Sequence, residues 1–224
     1  IRFTTGDQVW QDVFSYDLAG GQYRKITHQQ EIRLDDHSFS RDGSRVAFLS
    51  ETSTEPGDVY VAGSDFAAPR RLTRVNPQAA DFALGATTVL HWKSSDGWPV
   101  EGLLLKPVGY QPGHRYPLLV NVHGGPTGAF ANGFAAYNQF WAGKGWAVLL
   151  VNPRGSTGYG EKFLRGNIND WGGGDYRDIM TGVDAAIAAG VADPDKMGEW
   201  GWSYGGYMTY WIVSQTGRFK AAMM

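Results

Sequence analysis

An α/β domain preceded by an all-β segment is the fold class this sequence predicts, on three observations. Two short runs, Leu118-Leu119-Val120-Asn121-Val122 and Ala147-Val148-Leu149-Leu150-Val151, are almost wholly apolar, and an amphipathic helical stretch follows them. Runs buried on both faces are expected of parallel strands covered by helices. The stretch Gly201-Trp202-Ser203-Tyr204-Gly205 has the spacing of a tight strand-to-helix turn. Upstream, two strand–turn–strand segments repeat 46 positions apart, at Asp12 and Asp58.

Composition excludes several classes. The 224 residues exceed one average domain. A near balance of 20 Lys+Arg and 22 Asp+Glu, net -2, argues against nucleic-acid or membrane-surface partners. With 42% hydrophobic and 19% charged residues the chain can build a core. Cys is 0, which removes disulfides, thiolate zinc sites and a cysteine nucleophile. No apolar run approaches the roughly 20 residues of a membrane helix. The first residue is Ile1, so position 1 is not expected to be the natural start. Compartment and oligomeric state are not legible, because a signal peptide would precede Ile1.

The elements follow in order. Asp12-Val13-Phe14 to Arg24-Lys25-Ile26-Thr27 aligns without a gap on Asp58-Val59-Tyr60 to Arg70-Arg71-Leu72-Thr73. Each reads as a strand, a turn and a basic-basic-aliphatic-Thr ending. Between them, the Asp42-Gly43 turn leads into a strand alternating Val46 and Phe48. All-β repeats of roughly 40–50 residues suggest propeller blades, and a propeller closes with typically 4–8 of them. Fewer than two fit here, so residues 1–76 read as the end of a β-propeller. The alternative is two unrelated hairpins. Residues 75–85 lack a strand period and read as a linker. Val89–Trp92 and Val100–Leu105 form a hairpin around Ser94-Ser95-Asp96-Gly97. A helix is expected over 176–189, with apolar Tyr176, Ile179, Met180, Val183, Ala186 and Ile187 on one face, Asp175 as N-cap and Gly190 as stop.

Gly201-x-Ser203-x-Gly205 is the nucleophile-elbow spacing. Side chains two before and two after the serine would collide as the helix folds back on the strand. Gly206 is expected to allow further close packing, and Gly217 to end the helix that follows. The turn would leave the Ser203 hydroxyl exposed near a helix N-terminus, where developing negative charge is favoured. His123-Gly124-Gly125-Pro126 directly follows the 118–122 strand, where this layout takes its second oxyanion donor. The hole would comprise the amides of Tyr204 and Gly125. His123 itself reads as a histidine that shapes the loop. The fold class is therefore an incomplete α/β-hydrolase domain over 77–224, preceded by the C-terminal remnant of a β-propeller.

Gly201-Trp202-Ser203-Tyr204-Gly205-Gly206-Tyr207, His123-Gly124-Gly125-Pro126 and Asn152-Pro153-Arg154-Gly155-Ser156-Thr157-Gly158-Tyr159-Gly160 together resemble the prolyl oligopeptidase family of serine peptidases, nearest its acylaminoacyl-peptidase and dipeptidyl-peptidase branches. Trp171-Gly172-Gly173-Gly174-Asp175 is similar to that family too. The resemblance runs from about Phe39 to Met224. It implies a peptide substrate, no cofactor, and a propeller that caps the active site. It places the nucleophile on Ser203, an oxyanion amide on Tyr204, and the Tyr204 ring in the wall of the substrate pocket. Two positions depart from the pattern: Asn121 interrupts an apolar strand, and Glu199 stands where the family has an aliphatic residue. Glu199 must be solvated or have a partner.

The other polar clusters read as structural. The 152–160 loop either touches substrate or is held by a buried Arg154. Gly172–Gly174 does not have dinucleotide-site spacing. Asp35, Asp36 and His37 read as a solvated loop, not metal ligands, and no metal is expected. In this fold the triad order is Ser, then Asp or Glu, then His. The 21 residues from Tyr204 to Met224 contain no Asp, Glu or His, and all five histidines (His28, His37, His91, His114, His123) precede Ser203. The reading is thus a serine peptidase seen as a fragment lacking its triad Asp and His. An esterase on the same fold and a non-catalytic truncated product are the alternatives.

Overall fold

The computed structural model describes residues 1–27 and 33–224, with side chains from Asp36 onward after the gap. His28 and the side chain of Asp35 lie outside the described residues. The chain divides into two compact units, one of Ile1–Phe82 with Ala131–Ala135, the other of Ala83–Phe130 with Ala136–Met224. Nothing in the residue pattern predicts that 131–135 return to the first unit. They do so through the Asn132 amide, which donates to Val9 O at 2.7 Å.

The first unit holds two antiparallel meanders. One is β1 (Arg2–Asp7), β2 (Trp10–Asp17) and β3 (Gln22–Lys25); the other is β4 (Arg33–Phe39), β5 (Arg45–Glu51), β6 (Asp58–Gly63) and β7 (Arg70–Arg71). Val46 and Phe48 alternate inward from β5 and meet Val13, Ala62 and Phe66 in a small core. The 46-residue repeat is built physically. Asp12 Oδ1 accepts from the Thr27 hydroxyl at 2.6 Å, and that hydroxyl oxygen takes the Val13 amide at 2.9 Å. Forty-six positions on, Asp58 accepts from the Thr73 hydroxyl, which takes the Val59 amide at 2.9 Å. Lys25 pairs with Asp12 at 2.7 Å, and Arg71 pairs with Asp58.

A single 3-10 turn, Pro77–Asp81, occupies the expected linker. The second unit is a six-stranded mixed sheet with helices. Its elements are β8 (Thr87–Lys93), β9 (Pro99–Leu105), β10 (Tyr116–Val122), α1 (Ala136–Gly143), β11 (Ala147–Asn152), α2 (Glu161–Leu164), α3 (Gly174–Ala188), β12 (Ala192–Gly201), α4 (Tyr204–Gln215) and β13 (Ala221–Met223), with strand order β13-β12-β10-β11-β9-β8. The β8–β9 hairpin turns at Gly97, whose φ of +86° suits glycine. β10 runs parallel to β11 and β12, so the two apolar runs are neighbours in the sheet. Leu118, Val120, Leu149, Val151, Ile179, Val183, Met208 and Ile212 form its core. α1 and β13 were not anticipated from the sequence. Within α3, Gly190 ends the helix as expected, in the left-handed conformation at φ +73°.

Candidate active site

β12 runs through Gly201 and α4 begins at Tyr204, so Ser203 sits at the turn between them. Its backbone adopts φ 56°, ψ -120°, a sparsely populated conformation for a residue with a side chain. The steric reading of the glycines holds at two of three positions. A Cβ at Gly201 would strike the Gly205 carbonyl, and one at Gly205 would strike the Val122 carbonyl of β10. Gly206 differs from expectation: a Cβ there meets only ordinary contacts, 3.5 Å to Gly201 O. Gly217 likewise does not terminate α4; the helix ends because Thr216 is extended at φ -149°.

Ser203 is exposed, and Trp202 beside it is 80% exposed. Gly124 is packed against the serine. A Cβ there would lie 3.1 Å from Trp202 O, 3.2 Å from Ser203 Cβ and 3.8 Å from Ser203 Oγ. A side chain at 124 would therefore crowd the nucleophile. Gly125 follows with φ +131° and a cis bond to Pro126, and its Cβ would strike the amides of Thr127 and Gly128. The Tyr204 amide opens α4, where helix N–H groups lack intrahelical acceptors.

His123 is buried. Its Nδ1 lies 2.8 Å from Gly124 O and its Nε2 2.9 Å from Ser156 Oγ. The carbonyl requires the proton on Nδ1. Burial holds the ring below the usual imidazole range. Its two nitrogens are spent on the loop, so the ring shapes the backbone beside the serine. The 152–160 loop is fixed by the same means. Arg154 is buried and donates from its amide and Nε to Asp178 Oδ2 at 2.8 and 2.9 Å, and from Nη1 to Asp96 Oδ2 at 2.7 Å. Its guanidinium stacks 4.7 Å from the Trp98 ring centre. Asn152 donates to Phe130 O at 2.9 Å and accepts from the Phe130 amide at 2.7 Å, tying this loop to the end of the 123–130 loop.

Asp175 is not the N-cap of α3. Gly173 holds that position, and Asp175 lies in the first turn with no exposed surface. Its Oδ1 accepts from the amides of Gly172 at 2.9 Å and Tyr176 at 2.8 Å, and its Oδ2 accepts from the Tyr204 hydroxyl. Burial pushes the Asp175 carboxyl above the usual carboxylate range, against those bonds. The Tyr204 phenol is raised too, by burial first and then by the carboxylate. The Tyr204 ring packs edge-on to Trp171 at 5.1 Å and beside Tyr207 at 5.6 Å. Asp175 is the residue the sequence reading placed wrongly, because a carboxylate beside a helix start fits the capping pattern whichever way it points.

Glu199 is neither solvated nor partnered. It is 1% exposed, and neither carboxyl oxygen has a hydrogen-bond partner. Thr209 lies beside it, but the threonine hydroxyl donates to Gly205 O at 2.9 Å. Burial pushes Glu199 up to about 7, with Thr209 pulling weakly the other way. His37 Nδ1 lies 3.0 Å from Thr4 Oγ1, and no group of three His, Cys, Asp or Glu among the described residues could hold a metal.

Comparison with known proteins accords with this geometry. Residues 132–224 match the prolyl oligopeptidase family. That segment holds α3, β12, the elbow and α4. Beyond it, the chain is 40% identical over 193 residues to the uncharacterized peptidase YuxL of Bacillus subtilis, covering 84% of this chain and 29% of that protein. It is 43% identical over 93 residues to dipeptidyl aminopeptidase BIII of Pseudoxanthomonas mexicana, covering 42% of this chain and 14% of that protein. The acylaminoacyl peptidase of Pyrococcus horikoshii superposes with a TM-score of 0.85 at 30% identity, over 99% of this chain and 34% of that one. An acylaminoacyl peptidase in complex with Z-Gly-Gly-Phe-chloromethyl ketone superposes with a TM-score of 0.86 at 30% identity, over 99% and 34%. The chain thus spans about a third or less of each of these proteins. No described helix is long and apolar enough to cross a membrane.

Proposed function

We propose that this chain carries the nucleophile half of a serine peptidase that cleaves oligopeptides through an acyl-enzyme on Ser203. The observation that carries the reading is the exposed Ser203 at φ 56°, on a strand-to-helix turn that only Gly201 and Gly205 permit. Ser203 Oγ attacks the peptide carbonyl carbon. The amides of Tyr204 and Gly125 receive the oxyanion. The amine leaves with a proton delivered by the base, and water then hydrolyses the ester. His123 is engaged with Ser156 and Gly124, which supports a base and orienting carboxylate supplied from outside these 224 residues. The meanders β1–β3 and β4–β7 are the end of a β-propeller, a reading supported by their matched Asp–Thr–base sets.

Peptides with a large apolar residue before the scissile bond are the substrate class. A structural neighbour bound to a Gly-Gly-Phe derivative and the aromatic set Trp171, Tyr204 and Tyr207 support this. The test is hydrolysis of a blocked Gly-Gly-Phe anilide and of a p-nitrophenyl ester by the full-length form. Anilide turnover abolished by Ser203→Ala is expected, and the 224 residues alone should show no amidase activity. Ester turnover without anilide turnover would favour an acyl hydrolase instead. Anilide turnover by the 224 residues that Ser203→Ala abolishes would mean that an upstream histidine serves as base.

A further inference from the structure

We infer that the N-terminal end of α3, through Asp175 and Asp178, is the common anchor of the elements that carry both backbone oxyanion donors, and that Asp175 is the positioning residue for the Tyr204 side of the pair. The inference rests on the reading of Ser203 as nucleophile and of the Tyr204 and Gly125 amides as donors.

A strained elbow persists only where its surroundings over-determine it. On the α4 side the fixing contact is the bond from the buried Tyr204 hydroxyl to Asp175 Oδ2. It immobilises the side chain of the residue whose amide is the donor. A bond to an ionised acceptor is about twice as strong as a neutral one, and burial raises the stake further. Asp175 is itself held from below by the amides of Gly172 and Tyr176. Gly172 is clamped in turn, since its carbonyl accepts from Trp211 Nε1 of α4 at 2.8 Å.

Three residues along α3, and so on the same face, Asp178 serves the other side. It grips Arg154, at the head of the 152–160 loop, through the Arg154 amide and guanidinium. That loop holds the donor loop at three points. Ser156 meets His123, the Thr157 amide donates to Gly128 O at 3.1 Å, and Asn152 meets Phe130. One helical turn therefore carries two buried carboxylates, one ending a chain of contacts on Tyr204 and the other on the loop that carries Gly125. An apolar pair would fill the same space without the desolvation cost of two acids. What carboxylates add is direction.

The test uses the full-length form with Tyr204→Phe, Asp175→Asn, the double variant and Ser203→Ala. Phe removes only the hydroxyl. Asn keeps the acceptor for Gly172 and Tyr176 and exchanges only the oxygen facing Tyr204. Active sites are counted by the acyl-enzyme burst, and kcat and KM are measured on a blocked peptide anilide. Each single variant should lower kcat per active site about ten- to a hundredfold, below the ~10²–10³ lost with an entire oxyanion donor, with KM within about twofold. The double variant should be no slower than the slower single. Unchanged kcat per active site, or single effects that multiply in the double, would overturn the inference while leaving Ser203 its role. Turnover surviving Ser203→Ala would remove the nucleophile reading, and this inference with it.

Discussion

At the scale of single residues, the informative groups are buried carboxylates that the sequence did not orient. Glu199 was recognisable as an oddity, since it interrupts an apolar strand before the elbow. Sequence offered solvent or a partner, and the structure supplies neither. Its titration then has a definite sign. The folded protein holds the Glu199 proton up to about pH 7, the unfolded chain only to about 4.5. The stability contributed by the neutral acid is full below 4.5 and is lost as pH rises toward 7. The loss is roughly 3 kcal/mol by linkage. Urea unfolding of wild type and Glu199→Gln at pH 4.5 and 7.5 checks it, because every other group cancels. The variant should gain on wild type by about that amount between the two values, and parallel curves would refute the assignment. Arg154 behaves oppositely. It was legible as a candidate buried arginine, and it does join two acids, Asp96 and Asp178. Arg154→Met would strand the fully buried Asp178 and should cost about 3–5 kcal/mol, read as a lowered Tm. A shift below about 1 kcal/mol would mean that Asp178 finds another donor.

At the scale of elements, what the sequence conveyed best was whatever sterics dictate. Gly201 and Gly205 were readable because a tight turn has no room for Cβ atoms. Gly205→Ala should misfold the elbow, since its methyl would enter the Val122 carbonyl. Gly206→Ala should be tolerated, and comparing the two by circular dichroism and Tm separates motif from need. The parallel pair β10–β11 was readable from two almost wholly apolar runs. α1 was not, because Tyr137 and Phe140 are exposed while Asn138 and Gln139 are buried, which inverts the usual pattern. The β2–β3 and β6–β7 repeat was visible in letters, but its mechanism was not. Asp, Thr and a base 13 to 15 positions apart meet only when the two strands pair. Thr27→Val and Thr73→Val each leave a backbone amide and a buried carboxylate short of a partner. Each should cost about 1–3 kcal/mol, and nearly the same amount as the other. Strongly unequal losses in urea titrations would show that the two sets are alike in form only.

For the whole molecule, the question is how stability divides between the two units. The second unit has a continuous core of eighteen buried residues, from Val100 to Ile212. Among the described residues, the first has five in its cluster: Val13, Val46, Phe48, Ala62 and Phe66. Buried apolar area scales with those lists at about 25 cal/mol per Å², while the entropy of ordering scales with chain length. Eighty-odd residues on the smaller core leave the first unit the more weakly held. Sequence could show that the pattern changes near Pro77, but not that Ala131–Ala135 rejoin the first unit, since that return is made by backbone bonds such as Asn132 to Val9. Backbone bonds carry no side-chain signature. Hydrogen exchange in rising urea reads the division directly. Amides of β2, β5 and β6 should lose protection at lower urea than those of β10, β11 and β12, and amides of 131–135 should follow the first group despite lying within the second unit's stretch of chain. Simultaneous loss everywhere would mean that the units unfold as one cooperative body, and that the smaller core draws its stability from the larger.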